Sequence, residues 1–162
     1  MEHILVECKE SPATNHLWKL AKSLWTKKEP KWPEISYGII LACNTADFKT
    51  RGKPHPGKNR LYAIIISETA HLIWKIRCEK VFQNDNLQNT SHTKRELENK
   101  WFQCINTRLK LDKLQTNRSK FGKKAIKETL VLDTWEGILK DEENLPKDWI
   151  WQSSVLVGIE SC

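Results

Sequence analysis

The chain has 162 residues, of which 39% are apolar, and it contains eight tryptophans. This composition predicts a folded domain with a core of its own and argues against a disordered chain. The 27 basic residues exceed the 20 acidic residues, giving a net charge of +7 that favours a polyanionic partner. No apolar stretch approaches the roughly 20 residues that a bilayer span requires, so a membrane segment is not expected.

The five cysteines are widely scattered, and the sequence does not begin with a signal-peptide pattern. Such cysteines are most simply reduced thiols, which predicts an intracellular protein of the cytoplasm, the nucleus or both.

Near the N-terminus, His3 and Cys8 have the His-x4-Cys spacing of the second half of a zinc knuckle. A structural zinc site needs four ligands, and no Cys-x2-Cys pair precedes this half-site. By spacing alone, the two residues are more simply a chance pair of ordinary side chains. Zinc is expected only if the missing upstream cysteines are restored, and otherwise no cofactor is expected.

Residues 14–28 carry apolar side chains at the i, i+3, i+4, i+7 spacing of an amphipathic helix, which Pro30 and Pro33 end. The apolar residues 35–43 predict a short buried helix. Residues 44–59, with several prolines, glycines and lysines, predict a surface loop.

Two longer segments then predict an antiparallel helix hairpin. Residues 60–83 contain no helix breaker and are apolar almost all round, as in the central helix of a bundle. Thr93 and Glu96 form a capping-box pattern that predicts a second helix over residues 94–117. The predicted fold is therefore mainly α: a small helical bundle built around this hairpin.

The remaining chain predicts one more helix over residues 125–139 and an irregular acidic C-terminal tail. The domain organisation is interpreted as a zinc-knuckle remnant (1–12), a helical domain (13–139) and the tail (140–162). The spacing of Trp18, Trp25, Trp74 and Trp101 predicts that all four anchor the core.

Charge is concentrated in residues 94–127, which hold eleven basic and three acidic residues, while residues 128–162 hold two basic and eight acidic ones. A basic helical face of this kind can contact a phosphate backbone. It can equally be the solvated face of a surface helix, partly neutralised by the acidic tail. The candidate nucleic-acid-binding residues are Lys94, Arg95, Lys100, Arg108, Lys110, Lys113, Arg118, Lys120, Lys123, Lys124 and Lys127.

The sequence contains no Gly-rich phosphate loop, no Gly-x-Ser-x-Gly and no His-Glu-x-x-His. We therefore expect no catalytic residues and no enzyme activity from this chain.

Several short blocks together resemble the C-terminal tail of fungal non-LTR retrotransposon reverse transcriptase/ribonuclease H polyproteins. Residues 71–82 are similar to an Ile-Trp-Lys-x-Arg-Asn-x-x-Val-Phe helix of that tail, although Cys78 stands where the family commonly has Asn. Residues 1–8 resemble the end of its zinc-binding segment, and the other similar blocks are residues 52–61, 116–124, 145–149 and 155–159.

The resemblance implies a non-catalytic fragment of a longer polyprotein, whose polymerase and ribonuclease H acids lie upstream. It carries over only His3 and Cys8, as zinc ligands. Two functions are then expected. In the first, the chain assists binding of RNA or DNA through its basic helical face. In the alternative, it is a docking domain that packs on the upstream enzyme domains and binds no nucleic acid.

Overall fold

The computed structural model describes residues 5–6, 11–83 and 92–158. The elements are, in chain order, α1 (Pro12–Thr26), α2 (Tyr37–Leu41), β1 (Lys49–Thr50), β2 (Lys53–Pro54), α3 (Pro56–Gln83), α4 (Lys94–Gln115), α5 (Arg118–Phe121) and α6 (Glu128–Trp135). The protein is therefore mainly α-helical, as predicted. Within the described ranges, no helix has both the length and the apolar character needed to cross a bilayer.

The long helices α3 and α4 form the predicted antiparallel hairpin. Lys100 near the start of α4 donates to Glu79 near the end of α3, with Nζ and Oε2 3.0 Å apart. Near the other end, Asp112 of α4 accepts from Arg60 of α3, with Oδ1 and Nη2 2.7 Å apart. Residue numbers thus rise along α4 as they fall along α3, which defines the antiparallel arrangement. The predicted capping box at Thr93 is also present.

The prediction that residues 44–59 form a surface loop is wrong in part. Residues 49–54 form a two-stranded hairpin in which Lys49 pairs with Pro54, and α3 starts at Pro56 instead of near residue 60. Proline suits the first turn of a helix, because the N–H that it lacks would have no helical partner there. The sequence does not predict this hairpin, because its turn residues, Arg51 and Gly52, are not the usual Asn-Gly or Asp-Gly pair.

Helix α2 occupies the apolar segment 35–43, but the prediction that it is buried is wrong. None of its five residues is fully buried, and Leu41 is 68% exposed. Ser36 caps the helix by accepting from the backbone N–H of Ile39 over 3.3 Å. A five-residue helix covers the core with one side only, so its other side faces solvent.

Three of the four tryptophans expected in the core contribute to it. Trp25 and Trp101 are fully buried, and half-buried Trp18 donates its indole N–H to the carbonyl of Leu5 over 2.9 Å. Trp74 is 44% exposed, so the prediction is wrong for this residue. Helix α3 packs against α1, α4 and α6, and the rest of the described chain leaves one face of it uncovered, where Trp74 lies.

The last helix is shorter than predicted, and the tail after it packs on the bundle. Helix α6 ends at Trp135, and Gly137 then adopts a φ of 84° that turns the chain. Leu139 forms an antiparallel bridge with Val157. The tail is irregular, as expected, with 3-10 turns at Glu142–Asn144 and Trp149–Trp151. Several of its apolar side chains nevertheless join the core: Trp149, Ile150, Val155 and Val157.

One buried carboxylate joins three helices. Asp112 of α4 is fully buried, and its carboxylate accepts hydrogen bonds from the guanidinium of Arg60 on α3. The indole N–H of Trp135, at the end of α6, donates to the same carboxylate over 2.8 Å. A buried charge is stable only when it is paired and hydrogen-bonded, and here both requirements are met.

Two further contacts fix α6 against its neighbours. At its C-terminal end, the ammonium of Lys28 donates to the carbonyls of Asp133, Thr134 and Glu136. Burial lowers the pKa of Lys28 because it removes water from the charged amine. The carboxylate of Asp133 in turn accepts from the backbone N–H of Gly57, in the first turn of α3, over 2.8 Å.

Asp112→Ala should lower the free energy of unfolding by about 3 kcal/mol or more, because it leaves the Arg60 charge and the Trp135 N–H without their buried acceptor. Urea denaturation followed by circular dichroism measures the change. Asp148→Ala is the control, since Asp148 is exposed and makes no side-chain capping bond. Equal stability of the two variants would contradict the assigned role of Asp112.

Gly57→Ala should also destabilise the protein, although alanine usually favours a helix. A Cβ at this position would lie 2.3 Å from Asp133 Oδ2 and 2.5 Å from the Asp133 carbonyl carbon, so backbone would have to move. We expect a loss of about 1–3 kcal/mol. In the matched control Gly38→Ala, the nearest atom is 3.9 Å away, and the midpoint of unfolding should stay or rise.

Candidate nucleic-acid interface

The basic residues of α4 do not share one face. Successive helix positions are about 100° apart, so the six cations from Lys94 to Lys113 point around the helix. Lys100 and Arg108 face α3, where Lys100 pairs with Glu79 and Arg108 Nε lies 3.5 Å from Glu68 Oε1. Lys113 also has a structural partner, the backbone carbonyl of Gln152. Three of the predicted contact residues are therefore held by contacts within the fold. The six cations of α4 therefore do not share a single face of this helix, and nucleic-acid binding by the basic segment stays a prediction.

The contacts of Lys100 and Lys113 are accompanied by shifted pKa values. The hydrogen bond from Lys100 lowers the pKa of Glu79, because it stabilises the carboxylate. Lys113 donates to the carbonyl of Gln152 in the tail, and burial lowers the pKa of this lysine. Lys100 and Lys113 thus act in packing the hairpin and the tail, so these two lysines are poorly placed to neutralise a phosphate.

Eight of the eleven predicted residues are exposed, and none of these eight makes an ion pair with another described residue. They fall into two groups. Lys94 and Arg95 start α4, whereas the others lie at or beyond its C-terminal end, about 25–30 Å away at 1.5 Å per residue. The second group comprises Lys110, Arg118, Lys120, Lys123, Lys124 and Lys127.

Most of this second group lies on one ordered connection, residues 118–127 between α4 and α6, which we name the basic loop. Asn117 caps the short helix α5 by accepting from the N–H of Lys120 over 3.1 Å. Gly122 turns the chain with a φ of 55°, and Ile126 returns to α4 by donating to the carbonyl of Gln115 over 3.0 Å. The five cations of the loop are thus held close together by backbone contacts.

A second set of cations, which the sequence analysis did not select, lies at the same end of the bundle. The N–H of Phe48 donates to Asn59 in the first turns of α3 over 2.7 Å, which ties the β1–β2 hairpin to the start of that helix. The start of α3 is adjacent to the end of α4 through Arg60 and Asp112. Exposed Arg51 and Lys53 therefore lie at the end of the bundle that carries the basic loop. We name this region the basic end.

Arg51 occupies an unfavourable backbone conformation. Its φ is 51°, and Gly52 follows with a φ of 78°. Left-handed backbone costs a non-glycine residue roughly 1–2 kcal/mol, and Asn is the usual choice at such a turn. Placing an arginine here presents a long cationic side chain at the tip of the hairpin, at a small cost in stability.

The acidic tail does not neutralise the basic loop in the described part of the chain. The carboxylate of Glu142 accepts from the backbone N–H groups of Gly137 and Leu139, at 2.9 and 3.2 Å, and so stabilises the turn after α6. The tail contacts α4 through backbone instead, where the N–H of Val157 donates to Asn106 over 2.7 Å. The sequence left open whether the basic segment contacts phosphate or is a solvated face partly neutralised by the acidic tail. In the described residues, no ion pair supports neutralisation by the tail.

The predicted zinc half-site, His3 and Cys8, lies outside the described residues. In the described ranges, no three His, Cys, Asp or Glu side chains converge as metal ligands would. Cys43, Cys78 and Cys104 are free thiols, and burial raises the pKa of the Cys43 and Cys104 thiols.

Comparisons of this chain with protein-family models, with curated proteins and with solved structures return no match. The functional argument therefore depends on the residues and their geometry.

Proposed function

We propose that this protein is a non-catalytic nucleic-acid-binding module that holds an RNA or DNA strand against the basic end of its helical bundle. The observation that carries the proposal is the basic loop, whose five exposed cations make no ion pair with any other residue that the structure describes and lie on one ordered connection between α4 and α6. The resemblance to retrotransposon tails supports the same function, because such a tail would work beside a reverse transcriptase on RNA and DNA.

The geometry favours phosphate contact over base reading. Cations that have no acidic partner can each neutralise a phosphate and release a counterion. The backbone of the loop is already ordered, so binding a strand costs the rotamer entropy of the contacting side chains but not the entropy of ordering the loop. The hairpin tip, with Arg51 and Lys53, adds two cations at the same end. Such contacts position a strand without selecting its sequence.

Simultaneous substitution of Arg118, Lys120, Lys123 and Lys124 by Ala should weaken binding of a single-stranded RNA and flatten its salt dependence. Four lost phosphate contacts reduce the slope of log K against log salt by about 3, at roughly 0.7 per phosphate on a single strand. Fluorescence anisotropy titrations of a labelled oligonucleotide at several salt concentrations measure both quantities.

The matched control replaces Lys19, Lys22, Lys75 and Lys80, which are exposed on α1 and on the C-terminal half of α3. It lowers the net charge by the same amount but leaves the basic end intact. If the two variants lose affinity equally, general charge drives binding and the basic end is not the site. If neither loses affinity, the proposal is wrong.

A docking function is the second candidate, and one observation favours it. Trp74 and Val81 lie seven positions apart on the uncovered face of α3 and are 44% and 54% exposed. His71 stacks on Trp74 with ring centroids 6.2 Å apart, which extends this surface. Exposed large apolar residues that share a face often mark a protein contact. The occupant proposed here is an enzyme domain of the same polyprotein.

In the absence of that domain, the exposed face should cause weak self-association that Trp74→Ser with Val81→Ser abolishes. Sedimentation velocity at increasing protein concentration measures it. The control changes Leu41 and Leu156, which are also exposed but do not lie on this face. A wild-type protein that stays monomeric at all concentrations would contradict the docking function.

A further inference from the structure

A cleft of about 490 Å³ opens between the N-terminal half of α3 and α4, apart from the basic loop. Its size lies within the usual range of small-molecule sites. Helix α3 provides one wall, and Arg108 of α4 provides part of the other. The lining residues are Asn44, Pro56, Asn59, Arg60, Ala63, Ile64, Ser67 and Arg108.

The cleft is rich in hydrogen-bond donors. Arg108 Nε is buried and has no hydrogen-bond partner among the described residues, since its 3.5 Å contact with Glu68 lacks hydrogen-bond geometry. Asn59 uses its Oδ1 to accept from the N–H of Phe48, so its NH2 group remains a donor. The Arg108 side chain as a whole is 37% exposed, so a ligand in the cleft can accept from its guanidinium although the Nε itself is buried.

The side chains that line the cleft include two cations and no carboxylate. Arg60 and Arg108 are the cations that line it. Asp112, the partner of Arg60, is fully buried beneath its guanidinium, and Glu68 is the carboxylate nearest Arg108. Since neither carboxylate is among the lining residues, the side chains that a ligand would meet are cationic, amide, hydroxyl and apolar groups.

We infer that the cleft binds a nucleoside monophosphate unit, either as a free nucleotide or as one nucleotide of a strand. A guanidinium matches phosphate with two parallel hydrogen bonds, and Arg108 is placed to provide them. Carboxamides pair with the polar edges of bases, which suits the exposed Asn44, whereas Asn59 offers only its NH2 as a donor. The half-buried Ala63 and the buried Ile64 supply an apolar surface for a sugar or a base.

Isothermal titration calorimetry with AMP, adenosine and the dinucleotide ApA tests this site. We expect AMP to bind with a dissociation constant of about 1 mM or tighter, and adenosine to bind at least tenfold more weakly because it lacks the phosphate. ApA binding more tightly than AMP identifies a strand as the natural source of the nucleotide, and the reverse order identifies a free nucleotide. Absence of AMP binding at several millimolar overturns the inference.

Two variants locate the binding. Arg108→Gln should weaken AMP at least tenfold, and Ser67→Trp should block the cleft without removing a charge, because Ser67 is exposed at its wall. Lys110→Gln is the matched control, an exposed cation of α4 that does not line the cleft, and it should leave AMP binding unchanged. AMP binding that survives both Arg108→Gln and Ser67→Trp overturns the inference.

AMP binding by the cleft and strand binding by the basic loop can be disproved independently of each other. The variant that lacks four basic-loop cations should bind AMP as the wild type does, even where it loses strand affinity. Arg108→Gln should keep most of the salt-dependent strand binding. If Arg108→Gln does not fold, Ser67→Trp still decides the question, because it changes an exposed position on the outside of α3.

Discussion

The arrangement of this protein depends on one buried ionic contact, between Arg60 and Asp112. A carboxylate that is fully buried needs a cation and further donors, and Asp112 finds the cation on α3 and a further donor in Trp135 at the end of α6. Any relative shift of the three helices would separate these groups inside the core. The contact therefore adds a directional constraint on the register of the helices to the constraint from apolar packing.

That register places both candidate sites. The basic loop connects the end of α4 to α6, so its position follows from how Asp112 and Trp135 meet. The hairpin tip precedes α3 and is placed by the close approach of Gly57 to Asp133. Arg60 itself lines the cleft while its charge is held by Asp112. The same contact thus positions the cations of the basic end and the donors of the cleft.

The sequence was sufficient to predict the helix hairpin, because α3 and α4 are long and the Thr93 capping box is local. It was insufficient wherever a tertiary contact decides the outcome. Exposure of Trp74 depends on which face of α3 the other helices leave uncovered. The hairpin at residues 49–54 depends on an arginine in left-handed backbone, which local preference disfavours.

Counts of charged residues along the sequence did not predict which cations are free to bind a ligand. The surplus over residues 94–127 is real, but adjacent cations on a helix point in different directions, and no count distinguishes a free lysine from a paired one. Glu68 and Glu79 on α3 face Arg108 and Lys100, a relation that appears only when the hairpin is formed.

The exposed cations of the basic end and the lining of the cleft would support two different kinds of recognition. If the basic end binds a strand as proposed, its attraction acts on any sequence and is screened as ionic strength rises. The cleft presents fixed donors and an apolar wall, which favour one geometry of phosphate and base. If both sites engage one strand, the linkage raises the effective concentration of the second contact, so modest affinities combine into firm binding. On that view, the unfavourable backbone conformation of Arg51 is a cost in stability that bound nucleic acid would offset.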